Sequence, residues 1–126
     1  MDLLALQHRA AERAEELPGS ELTHPFGPDW DVWKVRQKVF MLQTDITGEP
    51  LVILKAIPED ARELRETHTH VTAGYHMNKR HWITLHAGGD VDADLAAELV
   101  TESYLLVVRK NVPRRERPVD PETFGR

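Results

Sequence analysis

The side chains best able to do chemistry are concentrated in the segment GYHMNKRHW, residues 74–82. These nine positions carry two imidazoles, an amide, an ammonium, a guanidinium, a phenol and an indole. Such groups can bind a metal, move protons, or donate hydrogen bonds to an anionic polymer. They can also belong to a polar hairpin whose rings are packed. The partners that the rest of the chain supplies distinguish these possibilities.

A metal site is one interpretation, because five of the seven histidines lie between His68 and His86. His76 and His81 are five residues apart, however, a spacing that fits neither one helix face nor one strand face. Zinc-bound histidines usually donate their second ring N–H to a carboxylate, and residues 71–89 contain no acid. The pattern favours polar loop histidines, and we expect neither a metal nor a cofactor.

Catalysis would need a carboxylate pair, or a histidine placed beside a nucleophile. Thr84 lies near His81 and His86 along the chain, but there is no G-x-S-x-G motif and no phosphate-binding glycine loop. The chain also has no cysteine that could act as a nucleophile. We therefore expect a protein that is not an enzyme.

Contact with a phosphodiester backbone fits the residue types of the segment better. Phosphate binding calls for cations and neutral donors, and aromatic rings can stack on bases. The competing interpretation is a wet basic hairpin with Trp82 in the core, and composition does not choose between the two. The candidate contacts in this segment are His76, Asn78, Lys79, Arg80, His81 and Trp82.

Charge is distributed unevenly along the chain. The net charge is −5, so attraction of the whole molecule to nucleic acid is not expected. Residues 1–31 hold seven acids against two arginines, whereas Lys34, Arg36 and Lys38 follow one another with no acid among them. If this second basic run forms a hairpin beside the motif, two basic tips can straddle a duplex. Residues 109–117 hold five cations, of which Arg114, Arg115 and Arg117 are interpreted as a solvated terminus.

Length and composition limit the remaining classes. A chain of 126 residues fits one domain. The absence of cysteine excludes disulfides and thiolate zinc sites, and no apolar run is long enough to cross a bilayer. The first residues lack the features of a secretory signal. We expect a cytoplasmic protein without a membrane partner, and favour a monomer.

The elements that must position the motif follow from hydrophobic periodicity. Apolar residues three and four apart predict a helix from Leu3 to Leu17, and Pro58 begins a second helix that ends between Thr67 and His70. Asp92 caps a third, largely buried helix. Period-two runs or apolar runs predict strands near residues 30–36, 39–42 and 51–56, with one strand or two after the second helix. The segment at residues 21–29 is predicted to be a short strand that leads to a turn.

This order predicts an α+β domain with an antiparallel sheet covered on one face by helices. The domain is expected to span residues 1–112. Residues 113–126 contain three prolines and little that can be buried, so they are predicted to form a mobile tail.

Three stretches are distinctive in composition: HPFGPDWDVWKV, the lysine-containing LVILKA and, above all, GYHMNKRHWITL. They resemble the MmcQ/YjbR family of small bacterial proteins, over nearly the whole chain apart from the tail. The resemblance implies a frataxin-like (CyaY-like) fold, a curved antiparallel sheet with helices on one face. It also implies DNA binding, by analogy with a double-wing module in a phage transcription factor. The family pattern falls on His24, Pro25, Phe26, Gly27, Lys34, Lys55 and residues 74–82.

One departure from the family pattern affects the first basic tip. Relatives often have a glycine-rich turn after the KV strand, whereas this chain has Arg36 and Gln37. Because side chains other than glycine resist the positive φ of tight primed turns, we expect a different or longer loop here.

The leading hypothesis is a non-enzymatic DNA-binding protein whose sheet face or hairpins contact phosphates. It requires folding to gather the cations into one positive strip, unpaired with acids. The alternative is a module that binds a small anionic ligand or a protein partner at the same motif, and a metal site is the third hypothesis. The predicted DNA-binding residues are Lys34, Arg36, Lys38, Lys55, His76, Asn78, Lys79, Arg80, His81 and Trp82.

Overall fold

The computed structural model describes residues 3–125, and its helices and strands follow one another in the predicted order. The strands are β1 Ser20–Thr23, β2 Trp30–Val35, β3 Lys38–Thr44, β4 Leu51–Lys55, β5 Val71–Ala73 and β6 Trp82–His86. The α-helices are α1 Leu3–Glu16, α2 Pro58–Thr67 and α3 Ala93–Asn111, followed by a 3-10 turn at Arg114–Glu116. Of the two possibilities after α2, the structure has two strands, β5 and β6.

All neighbouring strands pair antiparallel in a single open sheet, in the order β1-β2-β3-β4-β6-β5. The apolar strands β3 and β4 occupy its centre, as expected for strands buried on both faces. The predicted α+β class is therefore confirmed, with β1 and β5 as free edges of the sheet.

Helices α1 and α3 pack together against one face of the sheet. Leu6, Ala10 and Ala14 of α1 are fully buried, which confirms the predicted stripe. The carboxylate of Asp92 accepts a hydrogen bond from the backbone N–H of Leu95 at 2.8 Å, which confirms the predicted cap of α3. These local signals fix both helices in position under the sheet.

Apolar residues are buried on both faces of the sheet. The larger cluster lies under the helices and includes Trp33 and Val35 of β2. A smaller cluster lies on the opposite face, which carries no helix. Its buried members are Val32, Leu42, Ile53 and Trp82.

One end of the sheet collects several predicted contact residues. Because the strands are antiparallel, β2 and β4 finish at the end where β3 and β6 begin. The C-terminus of α3 reaches the same end, where the ammonium of Lys55 donates to the side-chain oxygen of Asn111 at 3.1 Å. We call this region the hairpin end, since it contains the β2–β3 turn.

The β2–β3 turn corrects the expectation of a different or longer loop. Val35 pairs directly with Lys38, so the loop has only two residues, Arg36 and Gln37. Both adopt positive φ, 48° and 68° respectively, as a primed hairpin turn requires. The Arg36 guanidinium compensates part of the strain, because its Nε donates to the backbone carbonyl of Glu116 at 2.9 Å.

The segment predicted to be a mobile tail packs back onto the domain in the structure. Val119 and Phe124 lie against the helix-side core, and the Phe124 ring is 6.3 Å from that of Tyr104. Residues 113–126 contain three prolines, but these two apolar side chains are also present. The hydrophobic area they bury favours docking over solvation.

None of the helices described within residues 3–125 has the length and apolar character needed to cross a membrane.

Candidate nucleic-acid interface

The motif loop, residues 74–81, folds over the helix-free face of the sheet. The Tyr75 ring stacks on Trp30 of β2, with ring centroids 6.2 Å apart and planes inclined by 14°. Met77 packs against the same small apolar cluster. The loop therefore spans the sheet from β5 and β6 to β2, and its first role is to cover apolar surface.

Gly74 allows the loop to turn back over the sheet. Its N–H donates to the carbonyl of Trp82 at 2.8 Å. A Cβ at this position would lie 2.5 Å from the Cβ of Trp82, so no other residue fits without a shift of the backbone. The hydroxyl of Thr84 accepts from the N–H of Tyr75 at 2.9 Å and fixes the next residue.

Asn78 organises the tip of the loop. Its side-chain oxygen accepts from the backbone N–H groups of Arg80 at 2.9 Å and His81 at 3.2 Å. Its own carbonyl accepts from the N–H of Trp82 at 3.0 Å. Asn78 was predicted as a DNA contact, but its side-chain oxygen is already used within the loop.

Trp82 lies in the core, which is one of the two possibilities that the sequence left open. Its side chain is 8% exposed and belongs to the apolar cluster under the loop. The ammonium of Lys55 lies 6.0 Å from the centroid of its ring. A buried indole of this kind offers no free face on which a base could stack. The exposed motif side chains are His76, Asn78, Lys79, Arg80 and His81.

The cations of the motif point to two other regions of the surface. Lys79 lies in a shallow hollow of the helix-free face together with Glu49 and His86, and its ammonium donates to the carbonyl of Gly74. Arg80 lies instead along the outer side of α2, in a depression that also contains Glu59, Glu63 and Glu66. Arg62 and Arg65 of α2 line the same depression. The predicted single strip therefore does not include Arg80, which lies among side chains of both charges.

The other four predicted cations lie at the hairpin end. Lys34 and Lys38 flank the β2–β3 turn, Arg36 is in the turn itself, and Lys55 ends β4. The backbone of His81 is held next to this group, since its carbonyl accepts from the N–H of Ala56 at 2.9 Å. Partial burial lowers the pKa of Lys55.

Acidic partners do not neutralise these cations by direct contact. Glu21 stands opposite Lys34 in the strand register. Of the ion pairs found within residues 3–125, two lie on α1, one lies on α2 and three join a histidine to a carboxylate. None of them involves Lys34, Arg36, Lys38, Lys55, Lys79 or Arg80.

Sequence reasoning missed a second group of cations that reaches the hairpin end. The bond from Arg36 to the Glu116 carbonyl joins the turn to the 3-10 turn that carries Arg114 and Arg115. Arg117 is tied back to α3 by donating to the carbonyl of Arg109 at 2.8 Å. The available signal was the run of five cations in residues 109–117, of which the three beyond Pro113 were interpreted as a solvated terminus.

Part of this second group is offset by nearby acids. Arg109, Arg114 and Arg117 share a hollow with Asp120 and Glu122 of the docked C-terminal segment. Arg115 does not line this hollow and is exposed. The β2–β3 turn therefore carries the larger excess of positive charge, and the 3-10 turn, which also contains Glu116, adds Arg115.

Three histidines, His24, His68 and His86, each contact a different carboxylate. His68 lies 2.8 Å from Asp90, and its hydrogen bond is the main cause that lowers the pKa of that carboxyl. His86 contacts Glu49 through Nδ1 and the hydroxyl of Thr72 through Nε2, the latter at 2.9 Å. In the part of the chain that the structure describes, no three His, Cys, Asp or Glu side chains are arranged to hold a metal ion.

Comparison with known proteins returns one family and no assigned activity. A family model described as YjbR matches residues 15–106. The chain is 37% identical over 121 residues to the uncharacterized protein YbdF of Escherichia coli O157:H7, covering 96% of this chain and 99% of YbdF. It is 35% identical over 78 residues to the uncharacterized protein YjbR of E. coli K12, covering 60% of this chain and 66% of YjbR.

Two solved structures show the same architecture. The crystal structure of Deinococcus radiodurans protein DR2400 superposes with a TM-score of 0.77 at 37% identity, covering 84% of this chain and 80% of that one. A crystal structure of a Pseudomonas syringae protein gives a TM-score of 0.67 at 27% identity, covering 84% and 98% of the two chains.

Proposed function

This chain belongs to the YjbR family, and we propose that it is a non-enzymatic, cytoplasmic DNA-binding protein that acts as a monomer. In this proposal the hairpin end contacts the phosphate backbone. The motif loop covers the apolar cluster on the helix-free face, and His81 adds a hydrogen-bond donor beside Lys55. The proposed contacts are Lys34, Arg36, Lys38, Lys55, His81, Arg114 and Arg115.

The charge at the hairpin end is the observation that carries the proposal. The chain has a net charge of −5, yet Lys34, Arg36 and Lys38 surround one exposed turn without an ion-pair partner among residues 3–125. Unpaired cations on a projecting turn can each neutralise a phosphate and release a counterion. A few such contacts give non-specific dissociation constants of about 10⁻⁴ to 10⁻⁶ M at physiological salt.

The docked C-terminal segment strengthens this interpretation. Because Arg36 is hydrogen-bonded to the carbonyl of Glu116, the two basic turns keep a fixed relation to each other. Pre-organised cations lose less side-chain freedom on binding than cations on a free tail would. The segment therefore adds charge to the site and lowers the entropic cost of using it.

Fluorescence anisotropy with a labelled duplex, at low and at moderate salt, tests the proposal. The double variant Lys34→Glu/Lys38→Glu should weaken binding more than tenfold at low salt and reduce the salt slope by about 2. The double variant Lys79→Glu/Arg80→Glu is the matched control, because it makes the same charge change away from the hairpin end. It should weaken binding several-fold less.

Two results would contradict the proposal. Absence of binding to duplex or single-stranded DNA at tens of micromolar protein and low salt would reject DNA binding itself. A larger loss from the Lys79/Arg80 pair would reject the hairpin end as the interface and return the site to the motif.

A second candidate function is the binding of a small anion in the hollow beside the motif. The hollow has a volume of about 350 Å³ and is lined by Lys79, Thr72 and His86, together with Glu49, which is bonded to His86. A phosphate or carboxylate would bind the Lys79 ammonium and the Thr72 hydroxyl and compete with Glu49 for His86. A thermal-shift series with small anions should stabilise the wild-type protein but not Lys79→Gln, with Lys110→Gln as the control.

A further inference from the structure

A cavity of about 260 Å³ lies between α2 and α3, at the point where β4 ends. It is separate from the motif loop and from the hollow beside it. Its volume is slightly below the range of about 300–1,000 Å³ that is typical for drug-sized ligands. The cavity is therefore of a size for a small metabolite.

The floor of the cavity is apolar. Side chains from both helices and from β6 form a continuous hydrocarbon surface, and Ile83 at its base is only 1% exposed. Such a surface favours the burial of a ligand that has several methylene groups. The apolar lining consists of Ile57, Leu64, Ile83, Leu99, Leu105 and Leu106.

Two acids stand on one side of this floor. Asp60 of α2 and Glu102 of α3 both line the cavity. They are close enough to influence each other, since partial burial raises the pKa of Glu102 and the charges of Glu98 and Asp60 raise it further. No described residue forms an ion pair with Glu102 or Asp60 within residues 3–125. A ligand cation would relieve this repulsion.

Two cations stand on the other side. Lys55 and Arg109 line the cavity where α3 approaches its C-terminus. Glu102 and Arg109 are seven residues apart on α3. At 1.5 Å per residue this separates their backbone positions by about 10 Å. The charges of opposite sign are thus held apart by roughly two helical turns of apolar surface.

We propose that this cavity binds a small zwitterion whose ammonium and carboxylate groups are separated by a short hydrocarbon chain. The ammonium meets Asp60 and Glu102, the carboxylate meets Arg109 and Lys55, and the methylene groups cover the leucines between them. Pro121 of the docked C-terminal segment forms part of the wall and limits the length of the ligand. This site is independent of the proposed DNA contacts except for Lys55.

Ligands of a single charge fit less well. A monoanion would leave the repulsion between the two carboxylates unrelieved, and a monocation would make no use of Lys55 and Arg109. An uncharged apolar molecule would desolvate part of these polar groups without pairing with them, which costs free energy. A ligand whose ammonium and carboxylate are separated by a hydrocarbon chain can pair with the acids and with the cations at the same time.

Titration followed by NMR, with ε-aminocaproate as the probe, tests the proposal on the full chain. We expect a dissociation constant on the order of 1 mM, as befits a ligand of few heavy atoms. Hexylamine and hexanoate, which keep the chain and one charge each, should bind at least tenfold more weakly. Norleucine, which carries both charges on one carbon, should also bind more weakly.

Variants distinguish a specific site from general charge effects. Glu102→Gln should weaken ε-aminocaproate binding about tenfold and improve hexanoate binding, whereas Glu15→Gln, an exposed change of the same kind on α1, should alter neither. Thermal unfolding checks that both variants remain folded. Equal affinities for the four probes, no shifts at cavity residues, or an unchanged Glu102→Gln variant would overturn the proposal. DNA binding should be the same in Glu102→Gln, so the two proposals fail separately.

Discussion

The two faces of the sheet bury apolar side chains in different ways. On one face, the two helices α1 and α3 cover a large cluster that includes residues from all parts of the chain. On the other, the motif loop covers a cluster of four buried side chains with Tyr75 and Met77. The first cover is built of regular elements with their own hydrogen bonds, and the second depends on one irregular segment.

This difference explains part of the composition of the motif. Gly74, Tyr75 and Trp82 are needed to build the cover, and Asn78 is needed to close its tip. Met77 packs against the same cluster, whereas His76, Lys79, Arg80 and His81 stay exposed. Much of this unusual concentration of functional groups is therefore explained by the structure of the cover itself.

The largest expected effect distinguishes the two faces directly. Leu54 is fully buried under the helices, and Leu42 is 5% exposed under the loop. Truncation of a buried leucine to alanine costs about 2–5 kcal/mol, and less where the surroundings can collapse into the cavity. We expect Leu54→Ala near the upper end of this range and Leu42→Ala near the lower end, in urea unfolding at equilibrium. Equal costs would show that the loop is as rigid as the helices.

The next effect concerns the ring stack that anchors the loop. Tyr75→Ala removes the contact with Trp30 and should cost about 2 kcal/mol, the burial of the ring plus its stacking. Amide exchange should accelerate in residues 75–81 well before it does in the helices. Tyr75→Phe keeps the ring and is the control. If exchange accelerates equally in the helices, the two covers unfold as one unit.

A hydroxyl on the helix side gives a pH-dependent effect. Tyr104 is fully buried, and its hydroxyl donates to the carbonyl of Pro18 at 2.5 Å. Tyr104→Phe should cost about 1 kcal/mol at neutral pH through the lost hydrogen bond. Burial raises the pKa of Tyr104 from 10.0 to about 12.

The sign of the pH effect follows from that raised pKa. Between pH 10 and 12 the folded protein keeps the Tyr104 proton while the unfolded chain loses it. Its stabilising contribution is therefore complete below pH 10 and is lost as the pH rises through 12. The free energy of unfolding is measured against pH for the wild type and for Tyr104→Phe, and the difference between the two curves removes the contribution of the lysines. If this difference stays constant over the range, burial does not raise the pKa of Tyr104.

Features that depend on neighbouring residues could be predicted from the sequence. The stripe of α1, the Asp92 cap and the alternation of Val32 and Trp33 in β2 each follow from local spacing, and the structure confirms them. The helix-side core could therefore be anticipated. Its residues are apolar at the period of the element that carries them.

Features that depend on distant contacts were missed. Tyr75 packs on Trp30, although 45 positions separate them, and no local pattern indicates that a polar loop crosses the sheet. The direction of Arg80 towards α2 depends on where the loop ends. The docking of Phe124 depends on a gap beside Tyr104 that exists only after α3 has packed. The sequence therefore indicated which residues are candidates, but not how the fold distributes them over the surface.

The smallest expected effect separates backbone strain from the packing of either face. Gln37 is exposed, with a φ of 68°, a region that costs residues other than glycine about 1 kcal/mol or more. Gln37→Gly should therefore raise the free energy of unfolding by about 0.5–1 kcal/mol, after the loss of chain entropy by glycine is deducted. Urea unfolding measures the change.

The control for this prediction is Gln37→Ala, which removes the same side chain but keeps the strain, so it should give no gain. Arg36→Gly relieves a similar strain but also removes the hydrogen bond to the Glu116 carbonyl, so its gain should be smaller than that of Gln37→Gly. If the alanine and glycine variants at position 37 are equally stable, the turn is not strained. The geometry of the two-residue loop would then be set by the pairing of β2 with β3, which holds Val35 opposite Lys38.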